Sequence, residues 1–110
     1  MPLVKAFNLR RDDPLSEIEE AVLNAMTSIP ALEINDYEVN LVPICEPDGF
    51  HASVARIDVD LWERPTRTKD DLQALAEGLA KAFQSVVGAE RKVKVVVRPY
   101  DVDKSGWVSF

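Results

Sequence analysis

The chain has 110 residues, of which 46% are hydrophobic and 29% charged, as expected for one soluble globular domain with a modest core. Its formal net charge of −6 argues against nucleic acid as a partner, because the chain would repel a polyanion. The apolar runs are too short to cross a bilayer, so no membrane partner is expected. Cys45 is the only cysteine, which excludes an internal disulfide and favours a cytoplasmic location.

The first half of the chain predicts a strand, a helix and a second strand. Residues 2–9, "PLVKAFNL", are apolar and bounded by charge, which is typical of a strand. Asp13 is a candidate N-cap of the helix, and Pro14 suits the first helical position. Pro30 should end this helix, and "YEVNLVPI" predicts the next strand. The apolar residues that recur at helical spacing are Leu15, Ile18, Val22, Ala25, Met26 and Ile29.

The same order repeats after a turn cluster, "EPDGF", at residues 46–50. "ASVARIDVDLW" predicts a long strand with alternating apolar residues. Thr68 and Asp71 resemble a capping box at the start of a second helix, and Gly88 is a candidate C-cap. "KVKVVVRPY" then predicts the fourth strand.

These elements predict a single α/β domain built from two consecutive βαβ units, residues 2–46 and 52–101, with a tail at 102–110. Each unit should be a right-handed crossover with parallel strands, so that a four-stranded mixed sheet carries two helices on one face. A ferredoxin-like ligand-binding domain has the same element order. Its strand pairing is antiparallel, so sheet topology separates the two interpretations.

Two helices can cover only one face of a four-stranded sheet. The strands around residues 57–61 and 93–97 are strongly apolar. We therefore expect the other face to be apolar and to be covered in an oligomer.

The sequence resembles those of the tautomerase superfamily, in particular the macrophage migration inhibitory factor and cis-3-chloroacrylic acid dehalogenase groups. The resemblance rests on Pro2 at the start and on four short segments that occur in the same order. "PLVKAFNL" resembles their first strand, while "YEVNLVP" and "PYDVDKSGW" are similar to the second strand and C-terminal segment of the former group. "ERPTRTKDDL" is similar to a loop with two arginines in the latter. The resemblance implies a homotrimer with pockets between subunits and no metal or organic cofactor.

Pro2 is the candidate catalytic residue. Removal of Met1, which is usual before proline, would leave Pro2 with a free secondary amine whose ordinary pKa is roughly 8. Burial would lower that pKa and make the amine a usable general base near neutral pH. The resemblance implies that Pro2 moves a proton between oxygen and carbon of an enol or 2-oxo acid. The alternative is that Pro2 simply begins an edge strand, where proline is tolerated.

Arg64 and Arg67 lie in the loop before the second helix, and a guanidinium binds a carboxylate through two hydrogen bonds. The resemblance implies that this pair holds a substrate carboxylate, with Arg98 as a third candidate cation near the pocket. The alternative is that the loop arginines are solvated, or pair with neighbouring carboxylates such as Glu63 and Asp70.

The aromatic residues Tyr37, Tyr100 and Trp107 are candidates for the wall of a pocket that would desolvate Pro2 and stack on a planar enol. The alternative for each is ordinary packing, which is the preferred interpretation for Trp62. Trp107 lies in a polar tail, so we expect it to contact another subunit.

Glu33 stands where the migration inhibitory factor group carries a pocket lysine, and a carboxylate there would not attract an anionic substrate. Asp101 and Asp103 are possible acidic partners for water activation, although aspartates in such a segment usually form turns. The expected function is therefore keto–enol tautomerisation of a small carboxylate-bearing substrate, rather than hydration or dehalogenation. The alternative is a non-catalytic trimer of the same fold that acts as an interaction protein.

Overall fold

The computed structural model describes residues 2–46 and 54–110, which contain four strands and two helices. Met1 and most of the predicted turn at 46–50 lie outside the described residues, as do His51 and the predicted start of the second unit at residue 52. The elements are β1 (Leu3–Leu9), α1 (Leu15–Met26), β2 (Asn40–Cys45), β3 (Val54–Trp62), α2 (Lys69–Val87) and β4 (Lys92–Tyr100).

The strands form one mixed sheet in the order β2-β1-β3-β4. β1 pairs in parallel with β2, and β3 pairs in parallel with β4. The two units meet where β1 pairs antiparallel with β3, with Leu3 opposite Asp60 and Phe7 opposite Arg56. The predicted fold of two consecutive βαβ units is confirmed. The parallel pairs exclude the ferredoxin-like alternative.

Both helices pack on one face of the sheet through apolar stripes. The stripe predicted for α1 is correct except that Leu15 is 40% exposed and Ile29 lies beyond the end of the helix. Val4 of β1 lies opposite Val59 of β3, and Val59 lies opposite Val97 of β4, so these side chains form a row beneath the helices. The largest fully buried side chains are Phe83, Leu9, Ile18, Met26, Leu32, Ile57, Leu61, Leu75, Leu79, Val4, Val22 and Val59.

The face without helices is less apolar than the sequence analysis expected. Ile57, Val59 and Leu61 are fully buried beneath the helices, because side chains two residues apart in a strand share a face. The intervening Arg56, Asp58 and Asp60 therefore occupy the helix-free face. The expectation that the 57–61 strand makes this face apolar was wrong. The strand is apolar on one side and charged on the other.

Two local predictions in the first unit also need correction. β2 begins at Asn40, and Tyr37 lies in a 3₁₀ turn at Asp36–Glu38 instead of in the strand. The N-cap of α1 is Pro14, with no side-chain capping bond, whereas Asp13 was predicted to cap it. The Asp13 carboxylate instead binds Arg91, 78 residues later in the chain.

The predicted ends of α2 are confirmed. The Thr68 hydroxyl accepts a hydrogen bond from the Asp71 backbone N–H at 3.3 Å, which satisfies one of the free donors of the first turn. Gly88 follows the helix with a φ of 105°, a backbone conformation that side-chain-bearing residues rarely adopt.

A buried ion pair between Arg91 and Asp13 fastens the two units at the sheet end where β1 finishes and β4 begins. The Arg91 Nη1–Asp13 Oδ1 distance is 2.6 Å, and both side chains are buried. Arg91 also donates to the Asn8 carbonyl oxygen at 3.0 Å and lies over the Phe83 ring. A buried charge that loses its partner is costly, so each member of the pair depends on the other.

Replacing Arg91 with alanine should lower the free energy of unfolding by about 3–5 kcal/mol, because the buried Asp13 carboxylate would lose its charged partner and keep only the hydrogen bond from the Arg10 N–H. Urea-induced unfolding followed by Trp fluorescence measures this change. Lys92→Ala alters the adjacent, exposed cation and should change the free energy by less than about 0.5 kcal/mol. Equal effects of the two substitutions would contradict the assignment.

Candidate functional site

One end of the sheet collects most of the residues that the sequence analysis singled out. β1 and β2 begin there and β3 and β4 finish there, because β1 runs antiparallel to β3 and each unit is internally parallel. Leu3, Asn40, Trp62 and Tyr100 mark this end, which we call the site end of the sheet. Pro2 directly precedes it along the chain.

Pro2 is buried at the start of an inner strand. Its carbonyl oxygen accepts a hydrogen bond from the Asn40 N–H at 3.0 Å, which ties it to the start of β2. The alternative that Pro2 begins an edge strand is therefore wrong, since β1 lies between β2 and β3. Proline has no backbone N–H to donate to a neighbouring strand. This costs no hydrogen bond of the sheet here, because β1 begins at the next residue, Leu3.

Arg64 lies next to Glu33, the residue that stands where the migration inhibitory factor group carries a lysine. Glu33 adopts a left-handed conformation, with a φ of 54°, and its Oε2 lies 3.8 Å from Arg64 Nη1. Both side chains remain about half exposed. The partner of Arg64 is thus Glu33, and neither Glu63 nor Asp70 pairs with it.

A cavity of about 300 Å³ adjoins Arg64. Among the residues that the structure describes, Arg64 is the only cation in its lining, and the others are Glu63, Pro65, Asp101, Val102 and Asp103. The Asp101 side chain accepts from the Asp103 N–H at 2.9 Å and begins a 3₁₀ turn at Val102–Lys104. Asp101 therefore forms the turn that its sequence context favours, and the cavity combines one guanidinium with several carboxylates.

Arg67 is 7% exposed and binds backbone carbonyl groups. Its Nε donates to the Leu32 oxygen at 2.9 Å, and its Nη1 donates to the Trp62 oxygen at 2.7 Å. Desolvation, which is the largest effect, and the nearby Arg64 both lower the pKa of the Arg67 guanidinium, while Glu33 and Glu38 oppose them. Arg67 also contributes to the wall of a second cavity, of about 500 Å³, between α2 and β4.

Arg98 lies on the helix-free face and is bound by two carboxylates of β3. Its Nη2 is 3.2 Å from Asp58 Oδ2, and its Nε is 3.1 Å from Asp60 Oδ1. Asp58 also accepts from Arg56 Nε at 2.7 Å, and this hydrogen bond is the main cause of a lowered Asp58 pKa. The sequence analysis did not identify this charged cluster, although the alternation of Arg56, Asp58 and Asp60 was a visible signal of one charged strand face.

The aromatic candidates separate into a cluster and one isolated side chain. Trp62 packs edge-on against Tyr100 at a centroid distance of 6.2 Å, and Trp107 lies 5.6 Å from Trp62. Trp107 is nevertheless 64% exposed, so most of its surface is available to another molecule. Tyr37 is 81% exposed and makes its hydroxyl contact with Asn35.

Within residues 2–46 and 54–110, no group of three or more His, Cys, Asp or Glu side chains is arranged to hold a metal ion. No helix in the same ranges is long and apolar enough to cross a membrane.

Comparison with solved structures finds a similar fold in several known proteins. Wild-type fused 4-OT, solved as an asymmetric trimer, superposes with a TM-score of 0.77 at 15% identity over 96% of this chain and 91% of that chain. A malonate semialdehyde decarboxylase inhibited by 3-bromopropiolate gives 0.70 at 16% identity, over 99% and 91% of the two chains.

A member of the cis-3-chloroacrylic acid dehalogenase family gives a TM-score of 0.69 at 11% identity, over 96% of this chain and 79% of that chain. No family model and no curated protein matches the sequence. At these identities the likeness is one of fold, and in fold the resemblance described above is confirmed.

The Asp58 cluster predicts a defined dependence of stability on pH. Since the folded-state pKa of Asp58 is lowered, its contribution is complete above the unfolded value, roughly 3.9, and is lost as pH falls through the folded value. Asp58→Asn should therefore cost about 1–2 kcal/mol at pH 7, and the cost should shrink steadily below about pH 4. Chemical unfolding at a series of pH values measures this, with exposed Asp12→Asn as the control. A cost that does not vary with pH would contradict the prediction.

Proposed function

We propose that this chain is a cofactor-independent keto–enol tautomerase of a small, carboxylate-bearing substrate of the 2-oxo acid type, with Pro2 as general base. The observation that carries the proposal is the position of Pro2. It is buried at the start of an inner strand, at the same end of the sheet as the Arg64 loop and the Trp62–Tyr100–Trp107 cluster.

The proposed reaction moves one proton and changes no oxidation state. The neutral Pro2 amine accepts the enol O–H proton, the C–O bond becomes a carbonyl, and the former C=C electron pair takes the proton back from the prolinium at carbon. The amine is regenerated and the product is the 2-oxo acid. Burial of Pro2 supports this role, because an amine freed there by removal of Met1 would be poorly solvated, which disfavours its charged form.

Arg64 is the proposed carboxylate-binding residue. Its guanidinium is exposed enough to be reached and can form two parallel hydrogen bonds with a carboxylate. Glu33 is a weak competitor, because exposed ion pairs contribute about 0–1 kcal/mol. A substrate carboxylate that binds bidentately can therefore displace it. The same guanidinium would stabilise the negative charge that develops on the enolate.

A homotrimer with active sites between subunits is the proposed assembly, as in the fused 4-OT trimers of the same fold. Exposed Val42 and Ile44 of β2 give the helix-free face an apolar edge that a second copy could cover. In such an assembly Tyr37 and Trp107, which are largely exposed here, would be available to line a neighbour's pocket. A cytoplasmic location remains a prediction from the cysteine content.

One observation favours a non-catalytic trimer instead. The carboxylates around Arg64 weaken the attraction of this end of the sheet for an anion. A protein with such an inactive site would keep the fold and the trimer but would show no turnover. Hydration and dehalogenation are not proposed, because the Asp101 side chain is engaged in its own turn.

Pro2→Ala should lower kcat/KM for ketonisation of phenylenolpyruvate by about 100-fold or more, the usual share of a general base. Intact mass must first show that Met1 is absent from both proteins. Pro14→Ala changes an exposed proline at the opposite end of β1 and should leave the rate unchanged. A full rate in Pro2→Ala would refute the role of Pro2.

Glu33→Gln should tighten the binding of the product-like carboxylate phenylpyruvate by about two- to fivefold, because Arg64 would lose its competing carboxylate. Isothermal titration calorimetry measures the Kd, and Glu20→Gln removes an exposed carboxylate of α1 as the charge-matched control. Equal gains in both variants would indicate a change in net charge only.

A further inference from the structure

We propose that Arg67 is a positioning residue that fixes the Arg64 loop against the Glu33 segment, and that Arg64 alone of the two arginines contacts the substrate carboxylate. This inference rests on the proposed function. It departs from the implication of the family resemblance, in which both arginines hold the carboxylate.

Three backbone carbonyl groups surround Arg67. Its backbone N–H donates to the Arg64 oxygen at 2.9 Å and closes the loop into a turn. Its side chain donates from Nε to the Leu32 oxygen and from Nη1 to the Trp62 oxygen. Two of the five N–H donors of the guanidinium are thus already used. Because the Nε–H is one of them, the Nε–Nη2 edge cannot bind a carboxylate through two parallel hydrogen bonds.

These carbonyl groups belong to the two chain segments that carry the Arg64–Glu33 pair. Leu32 directly precedes Glu33 in the first βαβ unit, and Trp62 is the last residue of β3 in the second. Arg67 therefore joins the two units at the point where the pair forms. Leu32 is fully buried and Arg67 is 7% exposed, so this connection is inside the protein while Arg64 and Glu33 face solvent.

The cost of breaking its buried hydrogen bonds suits Arg67 to a structural role. A buried guanidinium that released a carbonyl group to bind substrate would leave that carbonyl oxygen unpaired in the interior, which is costly. Arg64, in contrast, gives up only an exposed contact with Glu33 at 3.8 Å. The two arginines are thus suited to different tasks although they lie three residues apart.

A double-mutant cycle on phenylenolpyruvate ketonisation tests the inference. Arg64→Ala should raise KM at least tenfold with a smaller change in kcat. Arg67→Lys keeps the positive charge but cannot serve both carbonyl groups in the same geometry, and it should raise KM through displacement of Arg64. In the Arg64→Ala background, Arg67→Lys should then change KM by less than about twofold. Multiplicative KM losses would overturn the inference, since they would indicate two independent substrate contacts. Arg11→Lys, at an exposed site, is the matched control.

A binding measurement separates failure of this inference from failure of the proposed function. In ¹⁵N-edited NMR spectra, the Arg67 Nε–H should exchange slowly with solvent, because it donates to a buried carbonyl group. Titration with phenylpyruvate should shift the Arg64 Nε–H signal and leave that of Arg67 in place. A larger shift at Arg67 than at Arg64 would overturn the inference even if turnover is normal. Absence of turnover in the wild type, with these signals behaving as expected, would instead overturn the proposed tautomerase activity.

Discussion

The antiparallel pairing of β1 with β3 determines where every candidate site residue lies. It sets the beginning of the first unit beside the end of the second, with Leu3 opposite Asp60. Pro2 consequently lies at the sheet end where the chain leaves β3 towards Arg64. If β1 slipped by one residue against β3, Val4 and the other buried side chains of β1 would turn from the core to the helix-free face, so core packing protects this register.

Different forces hold the two ends of the sheet together. At the end away from the site, the buried Arg91–Asp13 pair joins the units through opposite charges. At the site end, Arg67 joins them through neutral carbonyl groups. Among the described residues, the Arg67 side chain thus binds carbonyl groups and no carboxylate. The nearby Glu33 carboxylate lies exposed beside Arg64. Separation of Arg64 from Glu33 would therefore break no buried ion pair.

The sequence predicted the elements, their order and the parallel pairs, because apolar periodicity and capping residues such as Thr68 and Gly88 are local signals. It could not predict contacts that join distant segments. Asp13 has the residue type and position of an N-cap, yet a partner 78 residues away takes its carboxylate. The sequence does not distinguish Arg67 from Arg64, which differ in the structure because Arg67 is buried and Arg64 is exposed. The expectation of an apolar free face was wrong because the alternating apolar residues of β3 all face the helices, which leaves the charged residues of this strand on the other face.

Catalysis by Pro2 requires a neutral secondary amine at working pH, and titration of that amine tests the proposed function most directly. Protein labelled with ¹⁵N-proline, and shown by intact mass to lack Met1, allows the Pro2 nitrogen to be followed by NMR as pH varies. Because Pro2 is buried, we expect the amine freed by removal of Met1 to have a pKa below the ordinary value of a chain-terminal amine, roughly 8. Titration above that value would contradict the proposed role of Pro2 as general base, as would a retained methionine, which converts the amine to an amide.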